Sequence, residues 1–345
     1  MIDLPGRELR RVGVALVMLL GDFLRLGFLA LGLLAATPVT AQTIWFSPHA
    51  TFAAGSDYLD LFRPDAPWQR AASHVQVFGT GGRFLIDAPE ADLRRMFSDL
   101  ERRHIGVDIG FEPLSGPGPN HCGFHVEGYG GPLGGGILLA QRVKALGGKP
   151  QYFTMDAPLY AGHLFGPANG KDGCHLPIAD VAKDVANKVR QIRTVFPGVP
   201  FGDVEPLTFR PGDPWFANDA WLSDLSQWFD AYQAAVGERL AFIRLDMWWS
   251  TPWQQHMPAL TALLARKGIP LQVIYDADGQ DKTDATWIAR AVDHFKAFES
   301  GPWPKPASAV IQYWTPNPTH VLPESDPLTG TGLVDRYVQW QQTRR

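Results

Sequence analysis

Five short β-type runs of this chain close on a carboxylate. They end Phe111-Glu112-Pro113, Met155-Asp156-Ala157, Asp203-Val204-Glu205-Pro206, Asp246-Met247-Trp248-Trp249 and Tyr275-Asp276-Ala277; a sixth closes on Tyr313-Trp314. Residues two apart in extended backbone share a face. Asp108 therefore aligns with Gly110 and Glu112, Asp203 with Glu205, and Arg244 with Asp246 and Trp248. Carboxylates crowded into one cavity repel one another and raise at least one pKa. An acid and a base then coexist at one pH. Cleavage of a glycosidic bond needs that pair: one carboxylic acid protonates the leaving oxygen, and the other attacks the sugar or activates water.

Asp203-Val204-Glu205 is the most specific of these runs, because two acids share one face and Pro206 ends the strand. Glu205 is expected to project into the cleft as general acid, with Asp203 tuning and orienting it. A buried salt bridge between Asp203 and Arg244 on the next strand is the plainer reading, and both can hold together. For the partner carboxylate, Glu112 ranks first, Asp246 second and Asp276 third. Asp156, Arg244 and Asp276 are expected to bind hydroxyls. Trp248, Trp249, Tyr275, Tyr313 and Trp314 offer flat faces for the apolar sides of sugar rings.

The elements that must position these residues alternate. Strands are expected at Thr43–Ser47, Val75–Gly79, Gly106–Glu112, Gln151–Asp156, Pro200–Glu205, Ala241–Trp248, Leu271–Asp276 and Ala309–Trp314. Helices are expected over Pro89–Arg103, Ile137–Leu146, Ile178–Phe196, Ala220–Val236, Pro258–Arg266, Thr286–Phe298 and Leu333–Gln341. In the third of these, Ile178, Val181, Val185, Val189, Ile192 and Phe196 recur at three- and four-residue spacing, which marks one buried face. Eight such βα units imply right-handed crossovers and a closed (β/α)₈ barrel, an α/β fold in a single domain over residues 42–345. Barrels of this kind carry their chemistry at the carboxyl ends of the strands. The first strand is not followed by a glycine-rich fingerprint, which argues further against a dinucleotide-binding fold.

The two longest loops follow the third and fourth strands and carry the only cysteines, Cys122 and Cys174. In an oxidising compartment such a pair forms a disulfide. It would staple the loops into a fixed wall on one side of the cleft. The run Gly128–Gly136 lacks the Gly-Lys-Ser/Thr ending of a phosphate cradle, and no HExxH or Gly-x-Ser-x-Gly is present. Neither a metal nor a cofactor is expected. Among 345 residues, 31 Lys and Arg face 35 Asp and Glu, a net charge of -4 without the basic excess that nucleic acid would require. Residues 1–41 read as a signal peptide: Arg25, the apolar run Leu26–Ala36, then Thr37-Pro38-Val39-Thr40-Ala41 before a mature start at Gln42. Translation from Met18 would make that segment conventional. The expectation is a secreted or periplasmic protein with no stable membrane insertion after cleavage.

The chain resembles secreted glycoside hydrolases of the TIM-barrel kind. The pattern Asp203-Val204-Glu205 is similar to that of chitinase-like and lysozyme-like barrels, and the resemblance implies that the Glu acts as acid. The endings Glu112-Pro113 and Glu205-Pro206 are similar to those of cellulase-like barrels. There an Asn precedes the acid on the fourth strand, whereas Phe111 and Val204 stand in its place here and the fourth strand ends in Asp156. The expected activity is hydrolysis of an oligo- or polysaccharide. The alternatives are a non-catalytic carbohydrate-binding barrel and a metal-dependent hydrolase on the same fold.

Overall fold

In the computed structural model, which describes residues 42–116, 121–130, 135–167, 171–206, 220–277 and 279–344, eight parallel strands close on themselves. In chain order the strands are β1 (Thr43–Ser47), β2 (Val77–Gly81), β3 (Gly106–Phe111), β4 (Leu114–Ser115), β5 (Tyr129–Gly130), β6 (Pro150–Asp156), β7 (Phe201–Glu205), β8 (Ile243–Leu245), β9 (Leu271–Tyr275) and β10 (Ser308–Gln312). The barrel runs β1-β2-β3-β6-β7-β8-β9-β10, and β10 pairs with β1 from Thr43 opposite Ser308 to Ser47 opposite Gln312. The two-residue strands β4 and β5 pair separately, inside the loop that follows β3.

The helices are α1 (Gln69–His74), α2 (Gly82–Asp87), α3 (Glu90–Arg102), α4 (Ile137–Ala145), α5 (Ile178–Val195), α6 (Trp221–Val236), α7 (Met257–Lys267), α8 (Asp284–Glu299) and α9 (Gly330–Gln342). Each turns an apolar stripe toward the outer barrel wall. On α5 the stripe is Val181, Val185, Val189 and Ile192, all buried as their spacing requires. The expected (β/α)₈ barrel is thus the observed one. It differs in detail: β2 lies two residues later than expected, β8 is only three residues long, and the short helices α1 and α2 were not anticipated. β8 is short because the chain leaves the sheet after Asp246, whose backbone N–H still donates to Glu205 O (3.1 Å), and turns at Trp248–Thr251. The signal-peptide reading falls outside the described residues, none of whose helices is long and apolar enough to cross a membrane.

Inside the barrel the side chains form layers. The lower layer is apolar: Trp45, Val77, Phe242, Ile274 and Val310 pack together beside Tyr152. Above it lies a polar layer. The Arg244 guanidinium donates to Asp108 (3.0 Å) and Gln272 (2.9 Å), and the Thr154 hydroxyl donates to the other oxygen of Asp108 (2.6 Å). Arg244 also lies over the rings of Trp45 (5.0 Å) and Phe242 (5.1 Å). Gly202 faces inward at the level of Phe242, whose ring would stand 2.0 Å from an added Cβ. The residues flanking it on β7 face outward in consequence.

Candidate active site

Two cavities open above the polar layer, at the carboxyl end of the barrel. The smaller, about 230 Å³, lies within the mouth of the lumen. Asp108, Arg244 and Gln312 form its floor, Glu112 and Asp156 its wall, and the glycines at the end of β2, with Arg83, its rim. The larger, about 450 Å³, spreads over the ends of β8, β9 and β10. Asp246, Asp276, Trp248, Trp249 and Trp314 line it, and Glu127 reaches it from the loop after β3.

Four carboxyl groups at these cavities perturb one another. Asp156 is held well above the usual carboxylate range, first by burial and then by the charges of Glu127, Glu112 and Asp246. Burial, followed by the charge of Glu127, pushes Asp246 up to about 7. Glu112 is raised by burial and by Glu127, against the opposing charge of Arg83. Glu127 is exposed on its solvent side, yet the protein crowding its other sides raises it, with Lys171 opposing. Both groups of this pair are thus raised, and Lys171 is the charge that favours the ionised form of Glu127.

Glu127 was not a sequence candidate, because it lies in a glycine-rich loop with no periodic neighbours. Its position is fixed nonetheless. Cys122 and Cys174 form the expected disulfide, which ties this loop to the one after β6. Gly123 N–H donates to Asp172 O (2.7 Å), and Cys174 N–H donates to the Tyr129 hydroxyl oxygen (3.2 Å). Gly128 has φ +83°, and a Cβ there would stand 2.8 Å from Ala161 and 2.9 Å from Asp156 O. Only glycine brings the loop this close to the end of β6. The spacing of Cys122, Glu127 and Gly128 was the available signal.

The aromatic wall is also held. Trp249 Nε1 donates to Asp276 Oδ1 (2.8 Å), and its ring stacks on His294 at 4.5 Å. His294 in turn contacts Asp276 O through Nδ1 (2.8 Å). Asp276, expected to bind hydroxyls or to serve as a catalytic partner, spends one oxygen orienting Trp249. Trp314 is 48% exposed and faces the larger cavity.

Four expected site residues face away from both cavities. Glu205 has no exposed surface, and its carboxylate accepts the backbone N–H groups of Leu159 (2.7 Å) and Tyr160 (3.0 Å), capping the turn after β6. Asp203 accepts from Trp228 Nε1 (2.7 Å), and its other oxygen is buried without a hydrogen-bond partner. The Asp203–Arg244 bridge is replaced by Asp108–Arg244, which crosses the barrel interior. Tyr275 is buried and donates to Glu299 (3.0 Å), while Tyr313 is buried against Trp287, with 5.4 Å between ring centroids. The cause is common to all four. Alternation tells which residues share a face, but not which face is inward. On β7 the inward residues are Gly202 and Val204, and on β9 and β10 they include Ile274 and Val310.

Among the described residues, no group of three or more His, Cys, Asp and Glu is placed to hold a metal ion. No family model and no curated protein matches the chain. Among solved structures it is similar to the phospho-2-dehydro-3-deoxyheptonate aldolase of Thermotoga maritima, at 9% identity over 88% of this chain and 71% of that one, with a TM-score of 0.45. It is also similar to a candidate alpha-L-fucosidase of Bacteroides thetaiotaomicron, at 10% identity over 87% and 93%, TM-score 0.47. A third, AbfB, a family 51 alpha-L-arabinofuranosidase from Bifidobacterium longum, shares 12% identity over 76% and 60%, TM-score 0.37. Aldolases and glycosidases thus stand side by side, and the likeness extends to the barrel alone.

Proposed function

We propose that this chain is an exported glycoside hydrolase whose general acid is Asp246 and whose second carboxylate is Glu127. The observation that carries the reading is their shared cavity, in which an acid shifted to about 7 and a carboxylate lie beside the Trp248, Trp249 and Trp314 wall. A sugar ring stacks on that wall. Asp246, whose protonated form is still populated at neutral pH, gives its proton to the glycosidic oxygen as the bond to the anomeric carbon breaks. Glu127, in its ionised form, attacks that carbon or takes a proton from the water that does. Asp276 keeps Trp249 in its stacking orientation. Export is supported by the Cys122–Cys174 disulfide.

The test is release of reducing ends from a panel of oligo- and polysaccharides by the chain starting at Gln42, with and without a chelator. Release that a chelator leaves unchanged is expected. Binding without release would replace this reading with a carbohydrate-binding barrel. Release abolished by the chelator would replace it with a metal-dependent hydrolase.

A further inference from the structure

The smaller cavity contains two carboxyls that the proposed catalytic pair leaves unused. Among the described residues, Glu112 and Asp156, both half-buried, accept no hydrogen bond and form no ion pair through their carboxyls. Neither cation of this cavity forms an ion pair with Glu112 or Asp156, although the charge of Arg83 is felt at Glu112. Arg244 is paired with Asp108 at 3.0 Å in the floor, and Arg83, its side chain 92% exposed, reaches outward to Asp87 at 3.7 Å. Asp246 and Glu127 add their fields from the neighbouring cavity, against which Lys171 is the opposing charge. The smaller cavity has no tryptophan wall. Besides the charged residues and Gln312, its lining is Phe111, Met155, Val204 and the small residues Ser47, Gly79 to Gly82, Gly110 and Thr154, at about half the volume of its neighbour. Its one aromatic, Phe111, is 3% exposed and packs edge-on against Phe153 and Phe201, so it presents no open face to a neutral sugar. The cavity does provide two unpartnered acids, converging where like charges already repel.

We infer that this cavity binds a cationic group, and that the substrate is a glycan carrying a free amine, of the 2-amino-2-deoxy sugar class. The ammonium sits between Glu112 and Asp156 while the adjoining residue stacks on the tryptophan wall. The naming of a glycan rests on the proposed hydrolase reading; the cation site itself does not. An ammonium in this position relieves the repulsion among the four carboxyls. Burial and repulsion hold protons on Asp156 and Glu112, and the arriving cation favours their charged forms. Binding therefore releases protons to solvent. A neutral sugar, or one whose amine is acetylated, offers no such exchange.

The test is calorimetry on the Asp246→Asn variant, which binds without turnover. Oligomers of glucosamine, N-acetylglucosamine and glucose are titrated in two buffers of different ionisation enthalpy. Glucosamine oligomers are expected to bind at least about tenfold more tightly than the other two, a difference of about 1.4 kcal/mol. They alone are expected to release protons. Adding Asp156→Asn, or separately Glu112→Gln, is expected to remove both the preference and the proton release, with folding checked by thermal melts. Equal affinities, no binding of any oligomer, or a preference that survives both substitutions overturns the inference. A cation preference in a wild-type protein that cleaves no glycan overturns the hydrolase reading and leaves the cation site standing. Cleavage of neutral glycans without a preference does the reverse.

Discussion

Asp246 and Glu127 illustrate how little sets a protonation state. Neither has an ion-pair partner among the described residues, and the shift of Asp246 to about 7 comes from burial first and from Glu127 second. The Glu127→Gln variant removes the second cause only. A carboxyl-carbon NMR titration is expected to find Asp246 near 7 in the wild type and lower in the variant; an unmoved midpoint would break the link between them. The sign for catalysis follows. The protonated acid is the active form, so activity declines as pH rises through about 7, and a lower pKa moves that decline to lower pH. Asp276 acts at one remove, through Trp249. Asp276→Ala frees the indole and is expected to raise KM more than it lowers kcat, and an equal fall in kcat and kcat/KM would instead place Asp276 at the reacting atoms.

Strands explain both what the sequence disclosed and what it concealed. Alternation and run length located all eight barrel strands, and the rule that chemistry gathers at their carboxyl ends singled out Glu112, Asp156, Asp246, Trp248, Trp249 and Trp314, which line the two cavities. Phase was not legible. Asp203 and Glu205 occupy the outer face of β7, a position that apolar residues normally fill, and the inward residues Gly202 and Val204 carry no chemical signal. Asp203 and Glu205 serve the fold, between the barrel and α6 or the turn after β6. Burial raises the pKa of both. A carboxyl raised in the folded state contributes its stability below the ordinary carboxylate pKa and loses it as pH rises toward the folded value. Asp203→Asn keeps the acceptor for Trp228 and removes one such titration. Its melting temperature is expected to fall less between pH 4 and pH 8 than that of the wild type. A steeper fall would contradict the assignment.

At the scale of the molecule, a rigid barrel carries a loop that supplies half of the proposed catalytic pair. The sequence showed where the loop and its cysteines lay, but not that Glu127 would be delivered to the mouth, since that depends on a contact between Gly128 and the end of β6. Titration of the denatured, unreduced protein is expected to find no free thiol. Replacing Cys122 and Cys174 by serine is expected to leave the melting of the barrel cooperative while lowering kcat, because Glu127 loses its tether; unchanged kcat would show that the staple does not position it. The central claim is that chemistry belongs to the inward carboxyls and not to the buried pair on β7. It is tested most directly by the activity of Asp246→Asn beside Glu205→Gln on one cleaved glycan, each corrected for folded fraction. Asp246→Asn is expected to lose about 10²- to 10⁴-fold in kcat. Glu205→Gln is expected to lose about 1–3 kcal/mol of stability, because one of two backbone N–H groups is left unpaired, and to keep kcat near the wild-type value. Full activity in Asp246→Asn, with kcat abolished in folded Glu205→Gln, would contradict the account.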